Sequence, residues 1–214
     1  MKMKSLIIAM FGIVSFGAMN SQEAHAQDIH IEKLTLDKKQ KKVFQDRDSS
    51  TTVYIDTLIM KDKSSLQFFG KKDVKLVVKH AEIGKNVFIS GHGAKNNASN
   101  FDLDLKFNKL GSLYIVARGQ DASNGMRTNP NGDAGNVTLR YDGSGIVPQT
   151  TNKKENNYLF VDVTPGGLHV TPSSEIRNIY SRIALSSPGL RGLPQGQIYS
   201  GSAGREGKVD IQAK

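Results

Sequence analysis

Three stretches of this chain can be written one under another: "LIMKDKSSLQFFG" (58–70), "KHAEIGKNVFISG" (79–91) and "LKFNKLGSLYIVARG" (105–119), each a β-rich run closed by a glycine. Taking Leu66, Val87 and Leu113 as equivalent gives spacings of 21 and 26 residues, the longer containing the insertion "GHGAKNNASN". A repeat this short cannot bury its apolar face alone, whereas successive copies stacked on one another can, which is the logic of a solenoid. Further copies begin at "GNVTLRYDG" (135–143) and "YLFVDVTPGG" (158–167), so the repeat loosens toward the C-terminus.

Local patterning points the same way. "IHIEKLTL", "VYIDTLIM", "VKLVVKH", "FDLDLKF", "LYIVA" and "VTLRY" are short, rich in β-branched and aromatic residues, and often alternate apolar with polar. Helical spacing occurs once, at Ile176, Ile179, Tyr180 and Ile183, between a capping Ser174 and Pro188-Gly189, and those residues fit a strand as well. The expected fold is therefore all-β: a short right-handed parallel β-solenoid with Gly/Asn-rich insertion loops at 91–100 and 119–135, the alternative being a β-sandwich. The resemblance between copies, and the recurrence of insertions just after the closing glycine, favour the solenoid.

The first residues read as an export signal. Met1 to Lys4 form a basic start, Ser5 to Met19 an apolar stretch, and Ala24-His25-Ala26 a small-x-small cleavage site. The apolar stretch is shorter than the ~20 residues of a spanning helix. We therefore expect a signal peptide at 1–26, a solenoid domain at 27–170, and a Gly-rich segment at 171–214 that packs on or caps the solenoid. Export places the protein in the periplasm, on the cell surface or outside the cell. With no cysteine, it must be held by packing and hydrogen bonds rather than disulfides. The leader takes Lys2, Lys4 and Glu23 from 29 basic and 20 acidic residues, leaving 27 and 19 and a formal +8. That excess suits acidic partners such as polysaccharide or envelope lipid. The run "KKQKK" at 38–42 comes with no nucleic-acid recognition fold, so no specific nucleic-acid partner is expected.

The C-terminal glycines at 189, 192, 196, 201, 204 and 207 keep a period of three only in pieces. A collagen triple helix needs that period unbroken, because only glycine fits at its axis. An extended Gly-rich flap ahead of a last strand at "VDIQ" is the expectation instead.

Over about residues 50–167 the chain resembles the bacterial exported right-handed parallel β-helix proteins with Gly- and Asn-rich loops, a class that includes surface adhesins, fibre-like proteins and polysaccharide lyases. The resemblance is architectural and matches no motif residue for residue. It implies a rigid stack of strands carrying loops, and three functional readings: glycan or envelope binding without catalysis, a small lyase or hydrolase acting on acidic glycans, and a structural subunit that self-associates through its solenoid ends.

Candidate site residues follow from these readings. For binding, the loops supply His92, Asn96, Asn97, Arg118, Asp121, Asn124 and Arg127, with Tyr114 and Tyr141 as aromatics facing outward. Of the other strand-end aromatics, Phe68, Phe69, Phe88 and Phe107 are expected to stack inside the solenoid. Eliminative cleavage of a uronate would need a base and a cation on the substrate carboxylate, for which Arg118, Arg127, Arg140 and Lys106 are the available residues. Asn129, Asn131 and Asp133, on a turn with two glycines, offer hard oxygens of the kind that hold Ca²⁺, though no EF-hand glutamate follows and the nonapeptide calcium repeat occurs in at most one degenerate copy. The histidines lack metal-ligand spacing, and there is no Walker loop or nucleophile elbow.

Overall fold

The computed structural model describes residues 27–45, 48–122, 129–168, 177 and 202–214. Eleven strands follow in chain order: β1 (Gln27–Leu36), β2 (Lys41–Phe44), β3 (Ser50–Met60), β4 (Ser65–Phe69), β5 (Asp73–Ile83), β6 (Val87–His92), β7 (Asn100–Leu110), β8 (Ser112–Val116), β9 (Val137–Tyr141), β10 (Tyr158–Asp162) and β11 (Val209–Ala213). They form two parallel sheets, a six-stranded one in the order β1-β3-β5-β7-β9-β11 and a five-stranded one in the order β10-β8-β6-β4-β2. The chain alternates between the sheets, so each odd strand and the even strand after it make one coil. This is a parallel β-solenoid whose regular part is about three turns, β3 to β8. The helical spacing between Ser174 and Leu185 falls outside the described residues apart from Arg177.

Alternation dictates which side chains enter. In β3 the burial pattern places Val53, Ile55, Leu58 and Met60 inside, and register carries the same face upward as the columns Val53–Leu76–Leu103–Leu139 and Ile55–Val78–Leu105. The five-stranded sheet contributes Leu66–Ile89–Ile115 and Val87–Leu113–Leu159. Phe44 and Phe68 stack at 5.1 Å, and Phe101 meets Phe68 edge-on at 5.9 Å. Each such side chain contributes roughly 1.5–3 kcal/mol by leaving water, so the stacked columns are what hold coil to coil.

The observed register corrects the sequence alignment by two residues. Leu66 lies beside Ile89, not Val87, while Val87 does pair with Leu113. Both choices keep the same face inward, which is why patterning alone could not separate them. The closing glycines shift accordingly: Phe68 is opposite Gly91, and the Gly70 N–H donates to His92 O at 2.7 Å, one step further along. Gly70 is needed for its backbone, with φ of 75°. Gly91 is needed for space, because a Cβ there would lie 2.8 Å from the Phe101 ring that fills the core above it.

The connections are unequal. From the six-stranded to the five-stranded sheet they run 37–40, 61–64, 84–86 and 111 before lengthening to 142–157. In the other direction they run 45–49, 70–72, 93–99, 117–136 and 163–208. Lengthened connections therefore occur at both corners, and described parts of 93–99, 117–136 and 163–208 meet at the corner that leads back to the six-stranded sheet.

Candidate functional site

The corner is built from backbone. Gln120 N–H donates to Asn96 O (2.9 Å), Gly132 N–H to Gln120 O (2.8 Å), Gly166 N–H to Gly132 O (2.9 Å) and Gly204 N–H to Gly166 O (3.0 Å). No side chain fits between these passes. A Cβ on Gly132 would fall 1.8 Å from Asn96 O, one on Gly204 2.1 Å from Gly132 O, one on Gly135 1.9 Å from Ser99 O, and one on Gly207 2.1 Å from Gly135 O. The paired spacings Gly132/Gly135 and Gly204/Gly207 thus have one physical cause: at a period of three, glycines face the neighbouring pass at every contact.

Asparagine and aspartate side chains satisfy what remains. Asn97 Oδ1 accepts from Asp133 N–H (2.9 Å), and Asp133 Oδ1 from Arg205 N–H (2.7 Å). Three residues on, Asn100 Oδ1 accepts from Asn136 N–H and Asn136 Oδ1 from Lys208 N–H, both at 2.9 Å, while Asn100 Nδ2 donates to Asp73 Oδ1. These are two polar ladders climbing from coil to coil, each rung capping a backbone donor of the next.

Most loop residues singled out in the sequence belong to this framework. Asn96 Nδ2 donates to Asn129 O and Pro130 O, Asn131 bonds Ala122 N–H through its oxygen and Ser202 O through its nitrogen, and Asp121 Oδ1 accepts from Gly167 N–H at 2.6 Å. Asp133 Oδ2 takes both Nε (3.0 Å) and Nη2 (2.6 Å) of Arg205, and these bonds hold its carboxyl below the usual range. A Ca²⁺ at Asn129, Asn131 and Asp133 would have to displace that guanidinium. Among the described residues no group of three or more His, Asp or Glu is gathered for a metal. Asn124 and Arg127 lie outside the described residues. Lys71 is buried at the same corner, its Nζ donating to Asp48 O at 2.6 Å, and burial lowers its pKa.

The residues considered for eliminative chemistry are dispersed. Arg140 pairs with Asp102, and Lys106 with Asp142 at 3.2 Å, on the outer face of the six-stranded sheet. Arg118 is exposed just after β8 at the corner. That outer face carries two further ion pairs, Lys79–Asp56 at 2.7 Å and Lys214–Asp104, and among the described residues its aromatic contact is the His30–Tyr54 stack at 4.6 Å.

The outer face of the five-stranded sheet is different. Register places Ser65, Phe88, Tyr114 and Phe160 in one outward column. Phe88 and Tyr114 stack at 5.0 Å, Tyr114 and Phe160 lie 6.0 Å apart, and Lys153 Nζ is 5.7 Å from the Tyr114 ring. Phe88 is 38% and Phe160 43% exposed, and Val43 adds 40% in the neighbouring column. At the corner end, Phe69 is 50% exposed and meets the His92 ring edge-on at 6.5 Å. Gln120 Nε2 lies 3.0 Å from His92 Nδ1, tying this row to the insertion loops, and burial lowers the His92 pKa.

The aromatic expectations are therefore split. Phe68 and Phe107 are in the core, whereas Phe69 and Phe88 are not. Tyr114 faces outward, but Tyr141 packs against the core, because its register with the buried Leu105 continues the inward side of Val137 and Leu139. Phe160 was missed by sequence reasoning, although Leu159 in "YLFVD" marks the inward position and leaves Phe160 outside. Comparison of the chain with known protein families, characterised proteins and solved structures found no match.

Proposed function

We propose that this is an exported, non-enzymatic binding protein of the cell surface or its surrounding matrix, which holds a glycan or another envelope component against the outer face of the five-stranded sheet. The observation that carries the reading is the exposed row Phe88–Tyr114–Phe160. Stacking across the strands stabilises the sheet only modestly, whereas contiguous exposed apolar surface marks an interaction site. The row advances one ring per coil along the solenoid axis, a geometry suited to an extended ligand lying across the strands. Gln67 on the next column and the His92–Gln120 pair at the corner are polar groups within the same face. The insertion loops, which the sequence suggests as the contacting edge, act in this reading as the wall beside the face, since the side chains of Asn96, Asn97, Asp121, Asn131 and Asp133 bond to backbone within the corner.

The test is co-sedimentation with a panel of acidic and neutral polysaccharides and envelope fractions, at low and high salt. Binding to one ligand class that persists in high salt, and drops at least tenfold when Phe88 and Phe160 are both changed to Ser, supports the assignment. Binding to every polyanion that vanishes with salt would reduce it to the effect of net charge.

A further inference from the structure

The outward column that carries the aromatic row does not end at Phe88. Register continues it through Ser65 to Lys41 on β2, so that along the solenoid axis the rings are followed by a polar position and then a cation. At coil steps of about 4.8 Å the track from Phe160 to Lys41 is about 19 Å long. Immediately before it, the turns arriving from the six-stranded sheet stack on one another. Lys39 N–H donates to Asp62 O (3.1 Å) and Lys63 N–H to Lys85 O (2.9 Å). These bonds set Lys39, Lys63 and Asn86 in one column, each two residues ahead of Lys41, Ser65 and Phe88.

Lys39 and Lys63 stand against two local preferences. Their φ values are 63° and 60°, a left-handed conformation that suits Gly or Asn, and the third coil does place Asn86 there, at 55°. They also set like charge beside like charge on neighbouring coils, which weakens a stack. The outer face of the six-stranded sheet does the opposite, joining Lys79 to Asp56 and Lys106 to Asp142. Acids at the turns are already engaged: Asp37 pairs with Lys61 at 2.7 Å, and Asp62 Oδ1 accepts the Lys85 N–H at 2.8 Å. Among the described residues no carboxylate forms an ion pair with Lys39, Lys41 or Lys63, and all three are exposed. Solubility alone would be served by lysines anywhere on the surface. Lys153, whose Nζ lies 5.7 Å from the Tyr114 ring, adds a cation over the aromatic part of the same track.

Resting on the reading that the aromatic row holds a glycan, we propose that this glycan is a linear acidic polysaccharide, and that Lys39, Lys41 and Lys63 form the subsite for its anionic groups. Sugar faces lie on Phe160, Tyr114 and Phe88, and the chain continues onto the lysines of the β2 and β4 coils. Rings and cations stand in file along the axis rather than spread over the face, which suits a polymer strand better than a lipid surface. Lysine column and ring column both advance once per coil, as a polymer with one anionic group per sugar requires.

The test compares binding of the protein, as processed on export, to polygalacturonate and to the same polymer with its carboxyl groups reduced to alcohols. The parent should bind the acidic form about tenfold or more tighter, an advantage that shrinks without vanishing in high salt. In K39N/K41Q/K63N that advantage should fall to about threefold or less, with binding to the reduced polymer unchanged. Asn suits the left-handed turns, so the thermal midpoint should not drop. The control K75Q/K95Q/K208Q removes the same net charge from exposed positions elsewhere and should keep most of the advantage. Changing Phe88 and Phe160 to Ser should weaken both polymers alike. Equal losses in the two lysine variants, or a parent that binds both polymers equally or neither, would overturn the proposal. If the aromatic variant still lost the reduced polymer, the glycan reading would survive that failure. An aromatic variant that binds both polymers like the parent would overturn the glycan reading and this inference together. Tighter binding to phosphatidylglycerol vesicles than to the polymer, lost in K39N/K41Q/K63N, would assign the lysines to a lipid surface instead.

Discussion

The two outer faces of this solenoid are made by the same strand grammar and filled in opposite ways. On the six-stranded sheet the outward residues include four ion pairs with the neighbouring coil, such as Asp56–Lys79 and Asp102–Arg140. On the five-stranded sheet the corresponding positions hold Phe88, Tyr114 and Phe160. A charged face repels further strands and needs nothing beyond solvent, while an aromatic one is incomplete without something laid on it. The difference shows that a repeat can keep its inward columns constant while its two outer sides differ in kind, and the proposed function rests on that difference.

The largest effects should come from the corner that both faces share. Gly132→Ala forces a Cβ to within 1.8 Å of Asn96 O, and a cost above about 3 kcal/mol is expected, visible as a lowered denaturation midpoint or early loss of the loop amides in hydrogen exchange. Removing an aromatic separates the inner from the outer role: Phe68→Ala should cost about 3–5 kcal/mol in unfolding experiments, while Phe88→Ala should cost under about 1 kcal/mol and act on ligand affinity instead. If the two substitutions destabilised equally, the distinction between core ring and display ring would fail.

Smaller still is the response of the charged face. Asp102→Ala should change stability by no more than about 1 kcal/mol, with the change shrinking in high salt, because both partners are partly solvated. Acid should act on both sides of the molecule with the same sign. Ser144 and then Lys106 lower the Asp142 pKa to about 2, so the stability it lends is complete above the unfolded carboxyl value near 4 and fades as pH falls toward 2. His92 is depressed by burial. Its contribution is complete above the unfolded value near 6.5 and declines as pH drops below it. A melting profile flat from pH 8 to 7 and falling below about 6.5, with the upper step absent in His92→Gln, is the expected outcome.

Much of the fold was legible because strand alternation is local. "VYIDTLIM" or "YLFVD" shows on its own which residues face in, and the repeated runs show that coils must stack. Tyr141 was misread as alternating with apolar neighbours, although Val137, Leu139 and Tyr141 share one side of "VTLRY", and register with Leu105 places it on the inward side. The corner was illegible for a different reason. Asn97, Asp133 and Arg205 are joined across 36 and 72 residues, and in a single sequence nothing distinguishes an asparagine that caps a distant backbone N–H from one that awaits a ligand. The paired glycines at 132/135 and 204/207 were the available signal, since both lead with the same spacing into a strand beginning at valine. The aromatic row was within reach of the sequence, since equating Val87 with Leu113 already sets Phe88 beside Tyr114 and alternation with Val87 and Ile89 points Phe88 outward.

The chain contains no tryptophan, which makes one measurement unusually direct. A Phe88→Trp variant places a single fluorophore on the outer face of the five-stranded sheet, and Thr138→Trp places one on the six-stranded sheet. Titrated in high salt with the glycan or envelope fraction that co-sediments, the protein should show a saturable emission shift at position 88 and none at 138. A ligand that binds while position 88 stays silent, or that reports at 138 instead, would contradict the assignment of the aromatic face.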